Sequence, residues 1–316
     1  MSRPSWPSAL LLTIALLPLS GCLLRSSHPP TVRVSTATLQ DATLEELVGT
    51  INNDAARLQT FVANVDIDFS AGGKKKGQVT DYAEFSGYIL VRKPEMLRMK
   101  VQLPLVRNTA LDMVSNGKTF EVSVPPKNEF FVGSSQIGKP SAQPLENLRP
   151  QHIMDALLLR PIDQQNEIAV LQQGTEMVKD TKTHKDAEQA NYEVLVIAKD
   201  PAGSYLSRKI VFSRVDLQPH AQYVYDRQAQ LVTYARYENF SDHGGVMFPD
   251  AIDIQRPVEE YEFRLYVTKL RVNEPIADDQ FVVPQPPGSK LIDLDQKNAS
   301  TNSGVEATQN AARSPQ

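Results

Sequence analysis

The sequence predicts a mainly β protein with two short helices, on three observations. Apolar and polar residues alternate along most of the chain, as in Phe61, Ala63, Val65, Ile67 and Phe69 against Val62, Asn64, Asp66, Asp68 and Ser70. A period of two marks a half-buried strand of an antiparallel sheet. Turn signals separate these runs at short intervals, which indicates one continuous meander in a sandwich, a barrel or a strongly curved sheet. A helical period appears in two stretches, one before the first strand and one near the middle.

The first helix starts at a capping box. Thr43 and Glu46 stand three residues apart, so each side chain can satisfy the other's backbone N–H. Leu44, Leu47, Val48, Ile51, Ala55 and Leu58 then form one apolar stripe. The stripe is expected to lie on a sheet, with a lid over a cavity as the alternative. The strand from Phe61 follows, and Gly72-Gly73-Lys74-Lys75-Lys76-Gly77 reads as a solvated turn. Contact of its lysines with anionic head groups is the functional alternative.

Strands are then expected over 85–91, 97–103, 111–115, 120–124 and 130–132. Asn116-Gly117 supplies a hairpin turn. Leu105 and Val106 sit side by side in the loop between Leu103 and Leu111, where tucking into the core is the plain expectation. Residues 134–149 read as a long polar loop. Pro150 suits a first helical position, and Ile153, Met154, Leu157 and Leu158 form a short apolar face ending at Pro161. Further strands are expected over 168–172, 192–198, 205–215, 220–225, 231–240, 248–255 and 261–272. Residues 180–189 read as a polar connection or hairpin end; Arg227-Gln228-Ala229 and Asp242-His243-Gly244-Gly245 read as turns.

The amino terminus reads as an export signal. Arg3, the apolar run from Ala9 to Leu17 and the small residues before Cys22 make its three parts. The run is shorter than the roughly 20 residues that span a bilayer, and Pro18 interrupts it. Four segments are therefore expected: a signal peptide over 1–21, a tether over 22–40, a folded domain over 41–292, and a disordered tail over 293–316 rich in Asn, Ser, Thr, Gln and Ala. As a flexible coil the tether would reach about 25 Å.

Composition narrows the function. The net charge of −4 offers no basic field to attract nucleic acid. Cys22 is the single cysteine, so once it is modified no thiol remains for a disulfide, a nucleophile or a metal. The five histidines, His28, His152, His184, His220 and His243, are widely spaced, with no pair at the helical spacing that seats a metal. Neither a nucleophile elbow nor a phosphate-cradling loop is present. Asp66 and Asp68 share one strand face and could form a carboxylate pair, but alternation alone places such pairs outward. The expectation is a non-enzyme without cofactor or metal.

Leu19-Ser20-Gly21-Cys22 resembles the lipobox of bacterial lipoproteins. That resemblance implies diacylglyceryl attachment at Cys22, cleavage just before it and a membrane-tethered domain. Leu23, where an Asp retains enterobacterial lipoproteins in the inner membrane, implies the outer membrane in preference to the inner one. The order of elements over residues 41–290 resembles the LolA/LolB family of lipoprotein carriers and receptors. So do Ser86-Gly87-Tyr88-Ile89-Leu90-Val91-Arg92-Lys93-Pro94 with Leu97-Arg98-Met99, the turn Ser115-Asn116-Gly117-Lys118, and Phe248-Pro249 with Ile252 and Ile254.

The resemblance implies a half-open antiparallel β-barrel of about ten strands, with an N-terminal helix and a short helical lid over an apolar concave face. It implies a periplasm-facing binder of lipoprotein acyl chains or other lipid, served by a periplasmic carrier protein and acting in lipoprotein sorting. Leu105, with Val106, falls at the family's membrane-delivery loop. Val65, Ile67, Ile89, Val91, Leu97, Met99, Val101, Phe120, Val122 and Leu265 are the expected cavity residues. The alternative is a structural or sensing envelope lipoprotein that binds a protein partner through a sheet edge or long loops.

Overall fold

The computed structural model describes residues 33–73, 78–81, 84–135, 144–180 and 182–297. The expected signal peptide over 1–21, Cys22, Leu23, Lys74, Lys75, Lys76 and the part of the expected tail beyond residue 297 lie outside the described residues. These fall into two compact units, residues 33–37 with 177–189 and residues 38–176 with 190–297.

The small unit is held by backbone and carboxylate bonds. Ser35 N donates to Glu188 O at 2.8 Å, and Glu188 N donates to Arg33 O at 2.6 Å. Asp180 accepts from the amide and hydroxyl of Thr36 and from the amide and hydroxyl of Thr183. These donors, Thr36 first, hold its carboxyl well below the usual carboxylate range. Residues 33–37 are therefore fixed structure and not free tether, which corrects the reading of 22–40 for that stretch.

The large unit begins with Gln40 N bonded to Arg214 O and helix α1, Leu44–Arg57. The capping box is formed: Thr43 N donates to Glu46 Oε2 at 2.7 Å and Glu46 N to Thr43 Oγ1 at 3.3 Å. Strands follow as β1 (Thr60–Gly73), β2 (Gln78–Asp81), β3 (Phe85–Arg92), β4 (Met96–Gln102), β5 (Thr109–Ser115), β6 (Thr119–Val124) and β7 (Glu129–Ser134). Helix α2, Pro150–Leu157, interrupts them. The rest are β8 (Glu167–Lys179), β9 (Asp186–Asp200), β10 (Gly203–Ser213), β11 (Pro219–Tyr225), β12 (Leu231–Asp242), β13 (Met247–Arg256), β14 (Tyr261–Val272) and β15 (Lys290–Asp293).

All belong to one sheet ordered β15-β7-β6-β5-β4-β3-β1-β14-β13-β12-β11-β10-β9-β8, with β2 beside β1. The mainly β, open antiparallel class is as expected, with fifteen strands among the described residues where about ten were anticipated. Only β15 pairs in parallel among the strand registers defined, with β7. The sheet does not close, because its end strands β15 and β8 are not partners.

Curvature follows from packing. β4 and β12 lie five strand positions apart, about 24 Å on a flat sheet at the usual spacing. Yet α2 touches both, and a helix is only about 10 Å across. The sheet must curl around α2. Its concave core joins Phe61, Ile89, Leu97, Phe120, Val122 and Leu265 to Ile153, Met154 and Leu157 of α2. A second core sets Leu47, Val48 and Ile51 of α1 on Val194, Val196, Ile210 and Phe212 of β9 and β10. α1 thus covers a sheet face, as its stripe predicts.

Two boundaries differ from expectation. β9 begins at Asp186 and not at Tyr192, so the polar stretch is a hairpin end, where Asp180 N donates to Lys185 O and His184 N to Asp180 O. At the other end, residues 293–297 belong to the fold and correct the start of the tail. Asp293 pairs with Val132, Leu294 is buried, and Lys297 forms an ion pair with Glu146. Buried Glu146, Asn147 and Arg149 likewise show that residues 146–149 are interior and not a solvated loop.

Candidate functional site

The concave face is filled at one end and hollow at the other. An α-helix rises about 1.5 Å per residue, so the eight residues of α2 cover roughly 12 Å. A strand advances about 3.3 Å per residue, so the fourteen residues of β1 run over roughly 45 Å. One short helix cannot fill such a face along its length. Leu157 meets Leu58, Tyr237 and Phe248 around the end where β1 begins, and with Met154 it belongs to the packed core that holds Phe61, Ala63, Ile89, Val91 and Leu97. At the other end a cavity of about 580 Å³ remains.

Its wall is built strand by strand from inward positions. Ile67 and Phe69 come from β1, Phe85 from β3, Met99 and Val101 from β4, Ala110, Leu111 and Met113 from β5, and Val124 from β6. Tyr261 and Phe263 of β14 continue the wall beside β1, Phe263 paired with Phe69, with Leu148 and Ile153 on the helical side. Adjacent residues Ala110 and Leu111 can both contribute because the β4–β5 register shifts between Val101 and Gln102. Leu103, Pro126 and Lys127 complete the lining. Among the described residues, Lys127 is its one charged side chain.

The cavity opens at one end of the strands. The β4–β5 turn and the β6–β7 turn share that end, since Leu111 pairs with Val101 and Asp112 with Ser123. The lining passes from buried Ile67, Met99 and Met113 to exposed Pro126 and Lys127. The neighbouring lip is the turn after Leu103. Leu103 N donates to Asn108 O at 2.8 Å, Arg107 N to Leu103 O at 3.1 Å, and Val106 N to Pro104 O at 2.8 Å. That closure drives Leu105 outward at 100 % exposure and Val106 at 63 %, which corrects the plain expectation that they tuck into the core. Leu105 also sits at φ 66°, a left-handed conformation that costs a leucine about 1–2 kcal/mol.

Polar scaffolding braces this end. Arg149 donates to Glu146 O and Leu148 O, and its guanidinium lies 4.8 Å from the centre of the Phe120 ring. Arg256 grips Glu259 at 2.7 and 3.2 Å just before Tyr261. Burial pushes the Tyr261 phenol well above its usual range. Burial, with Arg256 and Arg149 nearby, lowers His152 on α2 to about 3, so that imidazole is neutral at ordinary pH.

Of the expected cavity residues, Ile67, Met99 and Val101 line the hollow. Val65, Ile89, Val91, Leu97, Phe120, Val122 and Leu265 do not: they have the right parity but sit in the packed core. Phe69, Val124, Tyr261 and Phe263 continue the same alternations to the strand ends, so parity could have found them. Leu148, Pro126 and Lys127 carry no periodic signal. Asp66 and Asp68 alternate with Ile67, facing away from the cavity; Asp68 lies opposite Arg264. Among the described residues, no cluster of three or more His, Cys, Asp or Glu side chains could hold a metal ion.

A smaller cavity of about 70 Å³ lies between the end of α1, Leu157–Leu159 and β13. It has room for a few water-sized groups at most.

No family model and no curated protein matches this chain. Among solved structures it is similar to a LolA superfamily protein from Nitrosomonas europaea, at 15% identity and a TM-score of 0.46 over 77% of this chain and 99% of that one. It is also similar to a DUF1329 family protein from Desulfovibrio piger, at 15% identity and a TM-score of 0.48 over 75% and 95%. A putative outer membrane lipoprotein-sorting protein domain from Vibrio parahaemolyticus gives 11% identity and a TM-score of 0.47 over 76% and 97%.

Proposed function

We propose that this protein binds acyl chains of lipoproteins or other lipid in the concave face of its open sheet. The observation that carries the reading is the apolar cavity of about 580 Å³, which opens at one end of the strands and, among the described residues, has one charged side chain in its lining. Burying a methylene gains about 0.8 kcal/mol, so such a wall holds an acyl chain without any catalytic group. Ligand sites are usually mostly apolar hollows of a few hundred Å³ or more.

The finer reading joins this cavity to the lipobox resemblance. Lipid on Cys22 anchors the protein at the periplasmic side of the outer membrane, where it accepts acyl chains from a carrier protein. Leu105 and Val106, exposed beside the mouth, then enter the bilayer during delivery. Mass spectrometry of lipid retained by the purified protein tests the binding. A protein that is free of lipid and takes up none when offered lipid vesicles contradicts it. Transfer of a lipoprotein from its carrier, lost in Leu105→Glu, tests the delivery step.

One observation favours a second reading. Among the described residues β8 is an edge strand with one strand partner, and its Ile168 and Val170 are 43 % and 42 % exposed. Such an edge can take a strand from another protein. Cross-linking from position 168 that captures one dominant protein, with no lipid in the cavity, selects this reading.

A further inference from the structure

Granted the lipid-binding reading, we infer that the cavity takes one acyl chain at a time, from an amphiphile whose anionic head rests at Lys127. Capacity sets the chain number. A buried apolar cavity of about 150 Å³ accepts benzene, so each carbon requires about 25 Å³. On that scale 580 Å³ accommodates about 23 carbons. One myristoyl-length chain of about 14 carbons fits with space to spare. Two such chains exceed the space, and three need close to twice the volume. A triacylated lipoprotein can therefore insert one chain, leaving the others at the mouth or in the membrane.

The wall does not readily enlarge. Ile67, Met99, Met113, Val124 and Phe263 are buried on paired strands, and Ile153 is fixed on α2. Strand pairing through β14, β1, β3, β4, β5 and β6 is continuous, so widening the hollow means breaking sheet hydrogen bonds.

Lys127 sets the head group. It ends the 3-10 turn Pro125–Lys127, is exposed at the mouth, and makes no ion pair among the described residues. With the chain buried, the polar head emerges where this ammonium stands. A phosphate there gains a charge-assisted hydrogen bond, whereas a head with no net charge gains less.

The test offers four probes to the full chain: myristoyl lysophosphatidylglycerol, myristoyl lysophosphatidylcholine, dimyristoyl phosphatidylglycerol and a triacylated lipopeptide. Native mass spectrometry and competition measure stoichiometry and affinity. The expected result is one lysophosphatidylglycerol per protein, bound at least tenfold more tightly than the lipopeptide or the two-chain lipid. Lys127→Gln should remove most of its preference over lysophosphatidylcholine. Lipopeptide or two-chain lipid bound as tightly as the single-chain probe overturns the one-chain inference and leaves lipid binding standing. Equal affinity for both lysolipids, unchanged in Lys127→Gln, overturns the head-group assignment. Failure of all four probes overturns the underlying lipid-binding reading.

Discussion

The face of β9 and β10 under α1 and the face of β1, β3, β4, β5 and β14 under α2 are written in the same alternating code, yet one is solid and the other hollow. α1 has fourteen residues and sets Leu47, Val48 and Ile51 against Val194, Val196, Ile210 and Phe212, all buried. α2 has eight residues and reaches one end of its face. Alternation decides which side chains point inward. The length of what covers them decides whether they meet protein or empty space.

The largest expected difference between the two regions is in truncation. Phe212→Ala removes a ring packed on all sides and should cost about 3–5 kcal/mol in denaturant unfolding. Phe85→Ala removes a half-buried ring that already borders the cavity, so it should cost about 1–2 kcal/mol, with fewer contacts to lose, while weakening lipid retention. Equal losses would mean that the hollow is packed in solution.

Enlargement should show the opposite asymmetry. Val194→Phe overpacks the solid face and should destabilise by about 1–3 kcal/mol. Ala110→Phe grows into the cavity and should change stability by less than about 1 kcal/mol while reducing lipid uptake. Loss of stability in both variants would deny that free space exists at Ala110.

Acid should loosen the α2 side through His152. Its folded pKa of about 3 lies below its ordinary value of 6.5, so between those limits the unfolded chain binds the extra proton. This contribution to stability is complete above pH 6.5 and falls as pH drops toward 3, by at most about 1.4 kcal/mol per pH unit. His152→Gln should flatten unfolding free energy across that window. An unchanged slope would place the acid sensitivity elsewhere.

The smallest effect belongs to the mouth. Leu105→Asn places at φ 66° a residue that tolerates it better, so stability should stay within about 0.5 kcal/mol of wild type or rise slightly. Membrane association of the domain should nevertheless fall. A large loss of stability would mean that Leu105 packs against the fold.

Much of this architecture is legible in the residues. The capping box, the stripe of α1, the Asn116-Gly117 turn and the inward parity of each strand follow from local chemistry, and the structure forms them. Asn116 Oδ1 accepts from the amides of Lys118 and Thr119, and Gly117 takes a positive φ of 86°. The hollow was legible only in part, because parity cannot tell Ile67, which borders it, from Val65, which is buried two residues earlier. That difference depends on where α2 stops along the sheet, a tertiary fact. Lys127 was invisible for the same reason: only folding brings its turn beside the one after Leu103. Leu294 shares the parity of Ile292, but two positions are too short a run to mark a strand, and its burial depends on β15 joining β7 in parallel.

The most direct test of the account is methyl NMR of the protein titrated with myristoyl lysophosphatidylglycerol. Met99 and Met113 line the cavity, whereas Val194, Val196 and Ile210 belong to the solid face under α1. The account predicts chemical-shift changes and ligand contacts at the two methionines, saturating at one lipid per protein, with the three methyl-bearing residues under α1 unmoved. Contacts spread over both faces, or confined to exposed side chains with the methionines unchanged, would contradict it.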